Sequence, residues 1–298
     1  KKNKIIIISL VSALLIVLCV FAVEMKNTEK KAYQGISEIG EDQNTEVENK
    51  DNSQFIDMSL AKDIEAYFQE NGIDHEKVAY CITDLEHNIK YSMNEKDEFI
   101  AASIYKLPLA MLYYDKINEG EYTLDSTFTY SGYMHEGAGV ISSNYGIGSQ
   151  VPLSDLLNDL IIYSDNDAGH ILYENLGGWK EYKEAMTKYT NSISENYYTM
   201  DNVTTVNTMN DVVTYLYDHK EDYKVLIKNM EKAEPGEYLD RDTQLSMPQK
   251  YGMYDYALNS VGFVECNTSY SIVVLTSLGD KGADVMANIN RIAYEHFK

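Results

Sequence analysis

The chain has 298 residues, 44% of them apolar, and a formal net charge of -22. That apolar fraction is enough to bury a sizeable core and excludes wholesale disorder. Residues 1–56 hold 7 basic and 8 acidic side chains, so the excess negative charge belongs to the remainder, and a surface of that sign repels nucleic-acid phosphates.

The run Ile5–Val23 carries no charge over 19 residues, long enough to cross a bilayer as a helix. Three lysines precede it and predict that the amino end stays inside. Residues 1–23 therefore read as a single-pass signal-anchor in the cell membrane, with the rest of the chain outside. A cleaved signal peptide is the alternative, although no small-x-small pattern closes the run. Residues 24–55 are polar, without hydrophobic periodicity, and read as a flexible spacer.

A folded domain is expected over 56–298. Ser59–Gln69 has the pattern of an amphipathic helix, with Ser59 as its N-cap and Asn71-Gly72 as its stop. Lys77–Glu86 and Asn88–Asn94 read as a hairpin turning near His87-Asn88. Helical patterns follow at Ile104–Asn118, Leu153–Tyr163, Ala168–Leu176, Trp179–Tyr189 and Met209–Tyr217. Two strands, ALNSVGFVE and SYSIVVLTS, precede a last helix near Ala283–Phe297. Strands at both ends around a helical centre predict an antiparallel sheet assembled from both termini, with helices packed on it.

Of the three cysteines, Cys81 and Cys266 sit in strand-like runs and read as two buried thiols, with a Cys81–Cys266 disulfide left open. Neither cysteines nor histidines have metal-ligand spacing, so no metal or other cofactor is expected.

Three short motifs carry the candidate chemistry. Ser103–Lys106 reads SIYK and opens the apolar run IYKLPLAMLYY. A serine at the start of a buried helix is held rigidly near backbone N–H groups, and Lys106, three residues on, shares its face. A desolvated lysine gives up its charge more easily and can accept the serine proton. A second Ser-x-x-Lys, Ser59–Lys62, is explained by helix capping. Ser164-Asp165-Asn166 ends the amphipathic run LSDLLNDLIIY. Alone it reads as a cap or turn, but Ser164 can also pass a proton to a leaving group while Asn166 binds Lys106 and a substrate amide. Lys250-Tyr251-Gly252 precedes a strand-like run. There Lys250 supplies positive charge, and the N–H of Met253 can join that of Ser103 as an oxyanion hole.

In this order the motifs resemble the Ser-x-x-Lys, Ser-Asp-Asn and Lys-Thr-Gly set of the penicillin-recognising serine enzymes. The flanking segments FIAASIYKLPLAMLYYDKINEGEYTLD and GSQVPLSDLLNDLIIYSDNDAGHILYENLGG are similar to those of class A β-lactamases. The resemblance covers roughly Ile56–Lys298. It implies an α/β (α+β) fold of the β-lactamase/transpeptidase kind: an antiparallel five-stranded sheet with flanking helices, plus an all-helical lobe, the serine lying in the cleft between them. It also implies acyl transfer through Ser103 with Lys106 as base, Ser164 as proton shuttle and Asn166 orienting substrate. Lys250, Tyr251, Gly252 and Met253 would form the substrate and oxyanion wall. The expected partner is a small β-lactam or a peptidoglycan-derived substrate, acted on by a monomer.

Two departures from the family pattern bear on substrate and turnover. The Glu-x-x-Leu-Asn loop, whose glutamate activates the deacylating water in class A enzymes, is absent. Glu195 is the only carboxylate between Thr187 and Met200. Tyr251 replaces the usual threonine or serine, and the chain has only two arginines, Arg241 and Arg291, neither at an evident carboxylate-binding position. The expectation is a serine hydrolase acting on β-lactam or cell-wall-peptide-type amides with poor deacylation. The alternatives are a D-alanyl-D-alanine peptidase or esterase, and a non-catalytic wall-binding homologue.

Overall fold

The computed structural model describes residues 58–131, 135–136, 139–243 and 245–298. Helix α1 (Ser59–Asn71) buries Leu60, Ile64 and Phe68, a four-residue spacing that lines one stripe. Gly72 ends it in the left-handed region at φ 61°, as glycine does at no steric cost. Met58, not Ser59, occupies the N-cap. Ser59 is the first helical residue, with Oγ 3.4 Å from His296 Nδ1, so the capping role expected of it is not the one it has.

Strands β1 (Val78–Asp84) and β2 (Ile89–Met93) form the expected hairpin, with Asn88 in the turn at φ 57°. After the short β3 (Phe99–Ile100), a 3-10 turn over Ala102–Tyr105 leads into α2 (Lys106–Asn118). Every residue from Lys106 to Tyr114 is buried, so α2 is the central helix of its lobe. Around it lie β4 (Thr127–Thr129), α3 (Val140–Asn144), β5 (Gln150–Pro152), α4 (Leu153–Ile162), α5 (Asn166–Asn175) and α6 (Trp179–Met186). The chain continues through β6 (Val203–Thr204), α7 (Val206–Asp218) and α8 (Lys224–Met230). It then forms β7 (Gln249–Tyr254), β8 (Ala257–Val264), β9 (Tyr270–Thr276) and the closing helix α9 (Lys281–Phe297).

The main sheet is five-stranded and antiparallel, in the order β2-β1-β9-β8-β7. Strands β1, β8 and β9 are buried throughout, because helices cover both faces. Alternation divides the side chains: Tyr80, Ile82, Ile272 and Val274 pack with α1 and α9, whereas Cys81, Val261, Val273 and Leu275 pack with α7 and the helical lobe. This is the architecture the sequence implied. The two-stranded pairs β3–β6 and β4–β5, and helices α3 and α8, were not legible in it. Both described cysteines are free thiols; Cys81 is buried, but Cys266 is only half-buried and its thiol donates to Thr268 O at 3.2 Å. No helix among the described residues is long and apolar enough to cross a membrane, and the Ile5–Val23 segment lies outside the described residues, as does the spacer.

Candidate active site

Three elements bring the motifs to one point. Ser103 stands in the 3-10 turn before α2 rather than inside the helix, and Lys106 is the first residue of α2 proper. Ser164 occupies the turn between α4 and α5 at φ 54°, a conformation rarely adopted outside glycine, asparagine and aspartate. Asp165 stabilises that turn. Its carboxylate accepts from Ala168 N at 2.9 Å, capping α5, and from Ile141 N at 3.0 Å. Asn166 follows as the first residue of α5, and Lys250 reaches in from the edge strand β7.

Lys106 is the hub. Its Nζ donates to Ser164 O at 2.6 Å and to Asn166 Oδ1 at 2.6 Å, and lies 3.1 Å from Ser103 Oγ. The first two partners can only accept, so they take two N–H bonds. The third direction points at Ser103: it carries a proton in the ammonium and a lone pair in the amine. Burial holds the Lys106 pKa down at about 8, against the opposing charges of Asp165 and Glu136. Lys250 Nζ donates to Ser164 Oγ at 3.0 Å and to Tyr251 O at 2.7 Å. Burial, and then the charge of Lys106, push its pKa well below the ordinary lysine value. Ser164 Oγ thus lies between two amines, 3.4 Å from one and 3.0 Å from the other.

The turn that carries Ser103 is tied down through its backbone. Asn259 Nδ2 donates to Ile100 O at 2.8 Å and to Ala101 O at 3.1 Å. Asn202 Nδ2 donates to Ala102 O at 2.9 Å, and Asn202 O accepts from Ala101 N. Tyr182 OH donates to Tyr105 O at 2.8 Å. Ala102 is held at φ 50° by this frame. Lys183 in turn fixes the loop that presents Asn202: its buried ammonium donates to Tyr197 O, Thr199 O and Asp201 O at 2.6, 2.9 and 2.5 Å. Strand β7 runs directly along the turn. A methyl group on Gly252 would stand 2.6 Å from Ser103 N and 2.8 Å from Ile104 N, so only glycine fits between strand and turn.

Ser103, Lys106, Ser164, Asn166, Lys250 and Gly252 are therefore brought together. Tyr251 stands beside Lys250, its ring centroid 4.2 Å from the ammonium, and Met253, next along β7, is exposed. Glu195 is placed elsewhere. It is exposed and lines a cavity of about 630 Å³ with Glu95, Glu98, Ser192 and Asn207, none of which belongs to the motif cluster. Asp201 contributes its carbonyl to Lys183. The residues missed at the sequence level are Asn202, Asn259, Tyr182 and Lys183. No motif marks them, because they act on backbone carbonyls that are remote in sequence.

Beneath the site, Asp159 O accepts from Asp165 N. The Asp159 carboxyl is pushed up to about 6 by burial and by the charges of Asp165 and Asp155. A raised carboxyl pKa gives stability that is present below the ordinary value and is lost as pH rises through the folded value. The gain in Tm from Asp159→Asn should accordingly grow by about 5–10 °C between pH 4 and pH 7, followed by circular dichroism. A gain independent of pH over that range would contradict the shift.

Residues 59–297 match the model of the beta-lactamase enzyme family. Comparison with curated protein sequences finds no match. Among solved structures, a beta-lactamase from Chitinophaga pinensis is similar with a TM-score of 0.67 at 21% identity, over 80% of this chain and 99% of that one. A beta-lactamase from Sphaerobacter thermophilus gives 0.68 at 19%, over 81% and 98%. PBP-A gives 0.68 at 16%, over 79% and 96%. With a family model that spans nearly all of the described residues, this chain belongs to the beta-lactamase enzyme family, a family of serine hydrolases.

Proposed function

We propose that the domain is an acyl-transfer hydrolase in which Ser103 forms an acyl-enzyme. The observation that carries this reading is the buried Lys106 amine, 3.1 Å from Ser103 Oγ, with its pKa held at about 8. As the neutral amine, Lys106 takes the Ser103 proton while Oγ forms a bond to the substrate carbonyl. The developing oxyanion sits between the N–H groups of Ser103 and Met253. When the bond to the leaving group breaks, Ser164 Oγ delivers the proton, and Lys106 and Lys250 on either side replenish it. Asn166 holds Lys106 in register and offers its amide to substrate. The substrate class is an amide or ester of β-lactam or cell-wall-peptide type. The solved structure of a PBP-A variant as an acyl-enzyme complex with penicillin G is in keeping with this class. The expected signal-anchor over Ile5–Val23 would hold the domain outside the membrane.

A fluorophosphonate tests the reading. It should label the purified domain at Ser103; Ser103→Ala should abolish labelling and Ser59→Ala should leave it intact. Label on Ser59, or no label on a folded domain, would overturn it. A purely wall-binding protein has no use for an amine desolvated against a serine hydroxyl.

A further inference from the structure

The third motif carries Tyr251 where the family pattern has threonine or serine. Lys250 is fully buried, and its Nζ is engaged on each side: by Ser164 Oγ at 3.0 Å, by Tyr251 O at 2.7 Å, and by the face of the Tyr251 ring at 4.2 Å. Two of its N–H bonds are used and the ring lies over it, so Lys250 is poorly placed to take a carboxylate directly. The ring is itself fixed, stacked on Tyr238 at 4.8 Å and 22°. Beyond the rings the charge is negative. Glu234 and Glu237 are exposed, and after burial their charges are the main influences on Tyr238, as that of Glu234 is on Tyr251. The nearby cation that could have reversed this sign is committed elsewhere: Arg241 pairs with Asp242 and with Asp284 at 2.8 Å.

We propose that this site selects acyl donors whose leaving side is cationic or neutral, held beside the Tyr251–Tyr238 stack with Glu234 and Glu237 outside, and discriminates against the carboxylate that penicillins carry there. The proposal rests on the acyl-transfer reading above. The two glutamates attract a cation and repel an anion, while the Tyr251 ring stands between Lys250 and a carboxylate. In the first half-reaction the Ser103 Oγ–acyl bond forms, the bond from the acyl carbon to the leaving oxygen or nitrogen breaks, and the serine proton passes through Lys106 and Ser164 to the leaving group.

Three phenylacetate esters test it. Their phenol leaving groups carry a meta trimethylammonium, a meta methyl ester or a meta carboxylate, and each enzymatic rate is divided by that ester's own spontaneous hydrolysis at the same pH. The expected order is trimethylammonium, then methyl ester, then carboxylate, with about ten-fold or more between the extremes. Tyr251→Thr should raise the carboxylate ester relative to the other two. Glu234→Gln should lower only the advantage of the cation. Fluorophosphonate labelling at the wild-type rate verifies that Glu234→Gln keeps its site, and for Tyr251→Thr only the ratios among the three esters are read. A carboxylate ester that reacts as fast as the methyl ester overturns the proposal, and so does a site that labels with fluorophosphonate but accepts none of the three esters. Failure of the fluorophosphonate itself on the wild-type domain sinks the acyl-transfer reading instead.

Discussion

Lys106→Met is expected to slow acylation of Ser103 by about 10²–10⁴-fold, the usual range for loss of a positioned base. Methionine keeps most of the packing volume at this fully buried position, so the lobe should still fold. The wild-type pH profile carries the same information. With a pKa of about 8, the reactive amine is the minor form at pH 6, and the acylation rate should rise about ten-fold per pH unit before levelling above pH 8. Stopped-flow release of phenol from an aryl ester measures both. The sign follows from the chemistry: burial disfavours the ammonium, and only the amine has a lone pair to turn toward Ser103. A flat profile across pH 6–9, or a methionine variant of undiminished rate, would remove Lys106 from the role of base.

Turnover should be much slower than acylation. An aryl ester that reacts should release one phenol per site in a burst and then continue about 10²–10⁴-fold more slowly, with the acyl-enzyme visible by mass spectrometry. The reason is the placement of the carboxylates. Glu195 lines a separate cavity, and Asp165 spends its oxygens on Ile141 N and Ala168 N. Glu136, whose charge reaches Lys106, is paired with His170 at 2.7 Å. Rapid steady turnover without accumulated intermediate would show that a carboxylate does activate water, and Glu136→Gln, rather than a change at Glu195, would be the first variant to make.

Much of this was legible in the sequence because the relevant signals are local. The apolar run after Ser103 marks a buried helix, Asn71-Gly72 marks a stop, and the order of the three motifs marks a shared cleft. What was not legible depends on partners far apart along the chain. Asn259 reaches the carbonyls of Ile100 and Ala101 across 159 and 158 positions, and Asn202 reaches Ala102 across 100. The identity of Tyr251 was plain as a departure, but its consequence needed the stack on Tyr238 and the distance to Lys250. The helical start expected at Ser103 gave way to a 3-10 turn, since Asn202 and Asn259 hold the local carbonyls in another geometry.

The sheet imposes an order on how the chain becomes active. β1 belongs to the amino-terminal end of the domain, yet its neighbour in the sheet is β9, with Val78 opposite Thr276. The helical lobe carrying Ser103, Lys106, Ser164 and Asn166 is an excursion between β2 and β7. Ser103 is thus synthesised long before Lys250, Gly252 and Asn259, which hold and complete its surroundings. A ribosome-bound chain that has not yet emerged past Asn259 has its nucleophile but not the frame around it. Pairing of such high sequence separation is slow to form. The acquisition of reactivity toward a fluorophosphonate during refolding should therefore report docking of β7 and β8 on the Ser103 turn rather than formation of the helices alone.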